Sequence, residues 1–428
     1  MELLDLAALL VCLIAALAIA NARLLRLPST VGVTVGGLLV SVVLLALSAA
    51  HAPLAEAAVR AIGQVNFDEV VFLGVLSFLL FAGALGVDTH ELWAMRWPVL
   101  IFALVATALS IALVGGLVYG LLAVFGQHVP FLYCLLFGAL ISPTDPVAVL
   151  GMLQHAKVPP RIETLVAGES LFNDGIGVVA FTVIAGIATA GHGSAGAASG
   201  GHAVALDPAG VLLLFGQEAF GGLVLGVVLG LVGLVAMRLV DDFVTEVLIS
   251  LGLVLALTAI AVNLAVSAPL AAVAAGLLVG LLTDRRPEVL SSQERFGEFW
   301  HLLDELLNIA LFSLLALEIV VVDLEPNALV IGVLTIPLVL LARAASVQVP
   351  AAVLDRRHGF DPYTRRLMIW GGLRGALGVA MAFTLPDGAP RELFLVMTYA
   401  VVVFSIVVQG LTVGRIAARA AAASPSSH

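Results

Sequence analysis

The sequence predicts an all-α polytopic membrane protein of about thirteen transmembrane helices, arranged as inverted six-helix repeats with broken crossing helices in spans five and twelve. Three observations predict it. The 428 residues are 61% hydrophobic and only 11% charged, against roughly 25% charged residues in soluble proteins. Charge-free runs recur at 27–55, 97–144, 175–206, 247–283 and 393–414, each long enough for one or two spans of about 20 residues. Two of the candidate spans carry a charged residue flanked by helix breakers, where a transporter's midplane site is expected.

Polar breaks and Pro/Gly clusters divide the chain into candidate spans at 4–22, 29–49, 69–87, 97–125, 130–152, 161–188, 216–239, 244–265, 268–283, 302–322, 327–353, 363–385 and 393–417. The first contains AIANA, which resembles a signal-peptidase site. Its acidic start lacks a basic leader region, so it reads as a retained span. Segment 191–208 is a Gly/Ala/Ser linker whose His192 and His202 read as solvated loop residues. Segment 284–305 is the longest polar connection and ends as an amphipathic helix. Asp241, Asp242 and Glu246 open span eight, where acids favour a helix N-terminus. Glu318 is expected at an interface, as are Trp93, Trp97, Trp300 and Trp370.

Basic residues test this division. The odd-numbered loops and the C-terminus would hold Arg23, Arg26, Arg96, Lys157, Arg161, Arg238, Arg285, Arg286, Arg295, Arg356, Arg357, Arg365, Arg366, Arg415 and Arg419. The opposite side would hold only Arg60 and Arg391. That bias places the C-terminus in the cytoplasm and the N-terminus outside. Arg343 falls within snorkelling distance of one end of span eleven. Arg374, near the middle of span twelve, needs a partner.

The net charge of −10 and the lack of a basic patch argue against nucleic acid. Cys12 and Cys134 both lie in apolar runs, which excludes a disulfide framework or cysteine metal site. An intramembrane enzyme is also disfavoured. His90-Glu91 lacks the second histidine of a zinc motif, and neither Asp145 nor Asp174 lies in the GxGD setting of intramembrane aspartyl proteases. No cofactor is expected.

In span five, Pro143 and Pro146 flank Asp145 and disfavour a continuous helix. Span twelve carries a matching break at Gly371-Gly372-Leu373-Arg374-Gly375. In span six, Glu169, Ser170, Asn173 and Asp174 fall within an arc of about 140° on a helical wheel. Gly175 and Gly177 allow another helix to approach that face. Arg374 there finds candidate partners. One cation cannot neutralise three buried acids, so at least one acid should hold a proton or a metal cation, and Asp174 is the strongest candidate.

The stretches SPTDPVAV (142–149), GESLFNDGIGVV (168–179), FWHLLDELLNIALFSLLALEI (299–319) and WGGLRGALGVAMAF (370–383) resemble the monovalent cation/proton antiporter-1 family over residues 8–416. The resemblance implies one transmembrane domain over 1–425, with a core at about 97–188 and 327–417 and a dimerisation part at about 4–87 and 216–322. It implies a homodimer in the cell (inner) membrane that exchanges Na⁺ or Li⁺ for H⁺ by alternating access. Asp174 would bind cation and proton in competition, with Ser170 and Thr144 supplying oxygens and Asp145 nearby. Glu169 would pair with Arg374, and Asn173 would hold the arrangement. Asn at 173 cannot carry a second proton, which implies electroneutral 1:1 exchange. A K⁺/H⁺ antiporter with the same acids is the alternative; a cation channel is the more distant one. Two departures stand out. Ala82 replaces a glutamate that many relatives carry near the ion path, and the chain closes eleven residues past the last span, so no cytoplasmic regulatory domain is expected.

Overall fold

Every regular element among the described residues is helical, as the bilayer demands: with no water to satisfy them, backbone N–H and C=O groups must pair within their own segment. The computed structural model describes residues 3–156, 158–190, 208–285, 293–358 and 362–423. Lys157, Arg286, His192, His202 and nearly all of the Gly/Ala linker lie outside the described residues.

Each expected span has a helical counterpart. The helices are α1 (Leu3–Ala20), α2 (Ser29–Ala49), α3 (Pro53–Ile62), α4 (Phe67–Leu85), α5 (Thr89–Ala94) and α6 (Arg96–Val124). Then come α7 (Phe131–Ile141), α8 (Val147–Ala156), α9 (Pro160–Ala190), α10 (Pro208–Met237), α11 (Phe243–Leu264) and α12 (Ala268–Arg285). The last are α13 (Gln293–Glu318), α14 (Pro326–His358), α15 (Pro362–Trp370), α16 (Ala376–Phe383) and α17 (Arg391–Phe404, continued through Gly410–Ala423). Nine stretches among the described residues are long and apolar enough to cross a bilayer. Of the other four expected spans, nine and ten are the single helices α12 and α13, and five and twelve are each split in two, as α7/α8 and α15/α16.

Four π-helical turns occur among the described residues: Asn21–Leu25 continuing α1, Val70–Val75 in α4, Phe102–Ala106 in α6 and Ser405–Gln409 in α17. Helix starts follow the acidic signals in the sequence. Asp242 caps α11 by accepting from the Thr245 N–H and hydroxyl at 2.9 and 2.7 Å, and Asp88 caps α5 through the N–H groups of His90 and Glu91.

Close helix approach is set by glycine. Gly138 of α7 lies against the Ile111 carbonyl of α6, and Gly276 of α12 against that of Phe81 in α4. A side chain at either position would collide with backbone, so these pairs pack at near-minimal separation.

Three expectations are corrected. Trp93 and Trp97 are exposed as belt residues should be, but Trp300 is buried. It lies 4.6 Å from the Phe81 ring and donates to Ser250 Oγ at 3.2 Å. The amphipathic segment does not end before span ten; the two form the single helix α13, so Trp300 sits inside it. Glu318 is buried rather than interfacial. The last turns of α13 are covered by α2, whose Ser41 donates to the Ala316 carbonyl at 2.7 Å, and by α17, whose Tyr399 donates to that of Leu315. Arg343 is also buried, for a reason that belongs to the site.

Candidate functional site

The two broken spans cross at their breaks. After α7 the chain is unwound through residues 142–146, because the proline rings at 143 and 146 lack N–H donors and clash with a preceding helical turn. After α15 it is unwound through residues 371–375, where Gly371, Gly372 and Gly375 favour no helix. The stretches meet in one antiparallel bridge, in which the Asp145 N–H donates to the Leu373 carbonyl at 2.8 Å.

Crossing broken helices leaves helix ends inside the membrane, and the sequence supplies a charge for them. The Asp145 carboxylate accepts from Val147 N–H at 2.9 Å, at the start of α8. It also lies against Gly375 at the start of α16, where a Cβ would fall 2.5 Å from Asp145 Oδ2. A carboxylate between two helix N-termini is stabilised by both dipoles. At the other end, the Arg374 guanidinium donates to the carbonyls of Ser142, just past the end of α7, and of Pro143, the latter at 3.1 Å.

This overturns the expected Glu169–Arg374 pair. Arg374 is engaged by the carbonyls of the α7 break, and Glu169 takes Arg343 instead, with Arg343 Nη1 and Nη2 donating to Glu169 Oε1 and Oε2 at 2.6 and 3.0 Å. Arg343 also donates to the Met368 carbonyl at 2.9 Å, so it ties α9, α14 and α15 together. It does not snorkel, because its partners lie inward.

The polar face of α9 is as the periodicity places it. Ser170 Oγ donates to the Thr144 carbonyl. Asn173 accepts from Thr107 Oγ at 2.9 Å and donates to Thr144 Oγ at 3.2 Å and to the Ser142 carbonyl at 3.4 Å. Glu169, Ser170 and Asn173 are therefore all occupied and buried. Asp174 differs. It is half-buried and takes part in no salt bridge among the described residues.

Asp174, Asp145 and Thr144 line a cavity of about 1400 Å³. Ser170 sits against the Thr144 carbonyl and is not part of that wall. The cavity also takes in Arg26, Asp88, Pro160, His301 and Ala418. All of these lie at the face of the predicted arginine-rich loops. Past Asp174 the space closes. A Cβ at Gly175 would fall 2.5 Å from Leu270 Cδ2, and one at Gly177 would fall 2.5 Å from Pro143 Cγ. The arrangement can therefore offer carboxylate, hydroxyl and carbonyl oxygens, which suit a small hard cation, at the floor of a vestibule open on one side.

Comparison with known proteins decides the family. The family model described as "Sodium/hydrogen exchanger, transmembrane" matches residues 10–419. The chain belongs to the sodium/hydrogen exchanger family. This exchanger is 40% identical over 430 residues to the Na⁺/H⁺ antiporter NhaP of Pseudomonas aeruginosa, covering 99% of this chain and 98% of that one. It is 33% identical to the Na⁺/H⁺ antiporter NhaH of Halobacillus dabanensis, covering 92% of each. Its fold matches the sodium proton antiporter MjNhaP1 of Methanocaldococcus jannaschii at pH 8, with a TM-score of 0.73, 17% identity, and 97% and 99% of the two chains covered.

Several site residues of the exchanger escape a reading of sequence alone. Arg343 was visible as a charge in a span, but its partner was not. Thr107 carried no signal. Ser405 and Gln409 lie on the π-helical turn of α17 beside the span-twelve break, where Ser405 Oγ accepts from the Arg374 N–H at 2.8 Å and Gln409 donates to the Trp370 carbonyl at 2.9 Å. Each serves a backbone group that the break leaves without a helical partner. Asp304 and Asn308 also line the cavity; a polar pair four residues apart in an apolar helix was the available signal.

Proposed function

We propose that this exchanger carries Na⁺ or Li⁺ in one direction and H⁺ in the other, with Asp174 binding cation and proton in competition. The charge balance of the site carries this reading. Asp145, Glu169 and Asp174 face Arg343 and Arg374, so two cations stand against three acids. Glu169 is paired with Arg343 and Asp145 sits against two helix starts, so the acid left over is Asp174. Thr144 supplies oxygens toward it, with Ser170 holding the Thr144 carbonyl in place. Asn173 adds no charge, so one Na⁺ replaces one H⁺ and the exchange is electroneutral. The P. aeruginosa and H. dabanensis relatives are named for Na⁺/H⁺ antiport, which supports Na⁺ over K⁺. A cavity closed beyond Asp174 supports alternating access over an open channel.

The same reading includes thirteen crossings in two inverted six-span repeats. The N-terminus is outside and the C-terminus cytoplasmic in the cell (inner) membrane, and the cavity faces the cytoplasm. A homodimer forms through the part at about 4–87 and 216–322, and the core at about 97–188 and 327–417 moves against it.

The test is pH-gradient dequenching in everted vesicles with Na⁺, Li⁺ and K⁺, comparing wild type with Asp174→Asn. The variant is expected to fold and to exchange nothing; exchange at the normal rate removes Asp174 from the mechanism. In proteoliposomes, a transport current that depends on membrane potential would exclude 1:1 stoichiometry.

A further inference from the structure

A binding carboxylate at the floor of a deep cavity leaves open how cations are brought to it. One wall of the cavity is a single face of α13. Trp300, His301, Asp304, Asn308 and Leu311 recur at helical spacing, and all of them line it. Asp304 lies deeper along this face than His301. It is half-buried and takes part in no salt bridge among the described residues. Asp145, His301 and Glu305 line the same space and act on Asp304 electrostatically, His301 with the opposite sign to the two acids. The Asn308 amide donates to the Asp304 carbonyl at 2.9 Å. Asp88, Glu163 and Glu305 also line the cavity, against one arginine, Arg26, and one histidine, His301, among the described lining residues.

An ionisable side chain inside a membrane protein marks a functional site by default, and Asp304 is tied up in no salt bridge among the described residues. Low-dielectric walls focus its field into the cavity and raise the local concentration of counter-ions. We propose that Asp304 gathers the transported cation within the cavity ahead of Asp174, and so sets the apparent affinity from the cavity face alone. This rests on the reading of Asp174 given above.

The experiment measures the Na⁺ dependence of exchange from each face, in everted and in right-side-out vesicles. Asp304→Asn is expected to raise the Na⁺ KM about threefold to tenfold from the cavity face, within the range that field focusing supplies. The maximum rate and the KM from the other face stay near wild type. Choline chloride should shrink the difference by screening. Asp304→Glu should keep the wild-type KM, and Glu69→Gln, an exposed acid on the opposite face, should change neither side. An unchanged KM at the cavity face, or an equal rise at both faces, overturns the proposal. If Asp304→Asn does not reach the membrane, Asp304→Ser is read in the same way. Where Asp174→Asn is inactive and Asp304→Asn behaves as wild type, only this inference falls. Where Asp174→Asn still exchanges, the reading of Asp174 falls.

Discussion

The Glu169 carboxylate holds the Arg343 guanidinium through two hydrogen bonds, at 2.6 and 3.0 Å, with both side chains almost wholly withdrawn from solvent. The pair joins the polar face of α9 to α14, and Arg343 reaches on to the carbonyl of Met368. Arg374 is thereby left to the carbonyls at the end of α7.

Removing one partner strands the other charge. Arg343→Ala or Glu169→Gln is expected to cost about 3–5 kcal/mol, the usual penalty for breaking a buried pair. Thermal unfolding in detergent and the yield of monodisperse protein report it. The double variant Glu169→Leu/Arg343→Met should recover much of the loss, because no lone charge is left behind. Wild-type melting of either single variant would show that the pair does not hold the helices together.

Gly375 is a steric requirement. A methyl group there meets Asp145 Oδ2 at 2.5 Å, so Gly375→Ala must displace the carboxylate from the two helix ends. Overpacking of this kind costs about 1–3 kcal/mol, and here it should also lower the exchange rate several-fold. Measuring melting and exchange on the same preparation checks this. Wild-type values of both would show that the crossing yields at no cost.

The π-helical turn of α17 serves both sides of the span-twelve break. Ser405→Ala removes the acceptor for the Arg374 N–H, and Gln409→Leu removes the donor to the Trp370 carbonyl. Each leaves a buried backbone group unpaired, at about 1–3 kcal/mol. Ser405→Thr keeps the hydroxyl and should melt close to wild type. If Ser405→Ala and Ser405→Thr melt alike, the hydroxyl is not what supports the break.

At the start of α11 the effect depends on pH. The Thr245 hydroxyl and N–H hold the exposed Asp242 carboxyl below its ordinary value. A lowered folded pKa contributes stability that is fully present above the unfolded value of about 3.9 and is lost as pH falls through the folded one. The melting difference between wild type and Asp242→Asn should therefore be steady near neutral pH and close at lower pH. A difference that persists unchanged at acid pH would mean that the charge of Asp242 is not its source.

Much of this architecture is legible in the residues, and the limits are physical. Pro143 and Pro146 announce the span-five break because they remove backbone donors. The Gly371–Gly375 stretch announces its counterpart, and the 100° periodicity puts Glu169, Ser170, Asn173 and Asp174 on one face. Which arginine meets Glu169 is a different kind of question. Arg343 and Arg374 lie on separate spans, and the pairing depends on how three helices are rotated about their axes. Arg374 also has a use that counting charges does not reveal, since the carbonyls at the end of α7 act as its counter-charge. Trp300 shows the same limit, because an amphipathic stretch at a surface and one that runs on into a buried helix read alike.

The one-sided cavity also has an electrical consequence. An aqueous vestibule that reaches Asp174 carries nearly the potential of the solution it opens into. The membrane voltage then falls mainly across the layer beyond, where Gly175 meets Leu270 and Gly177 meets Pro143. A field compressed into a layer a few side chains thick acts on any charge that crosses it, and hardly on one waiting in the vestibule. Under the proposed mechanism, a short displacement of the core past that layer would carry Asp174 from one electrical compartment to the other.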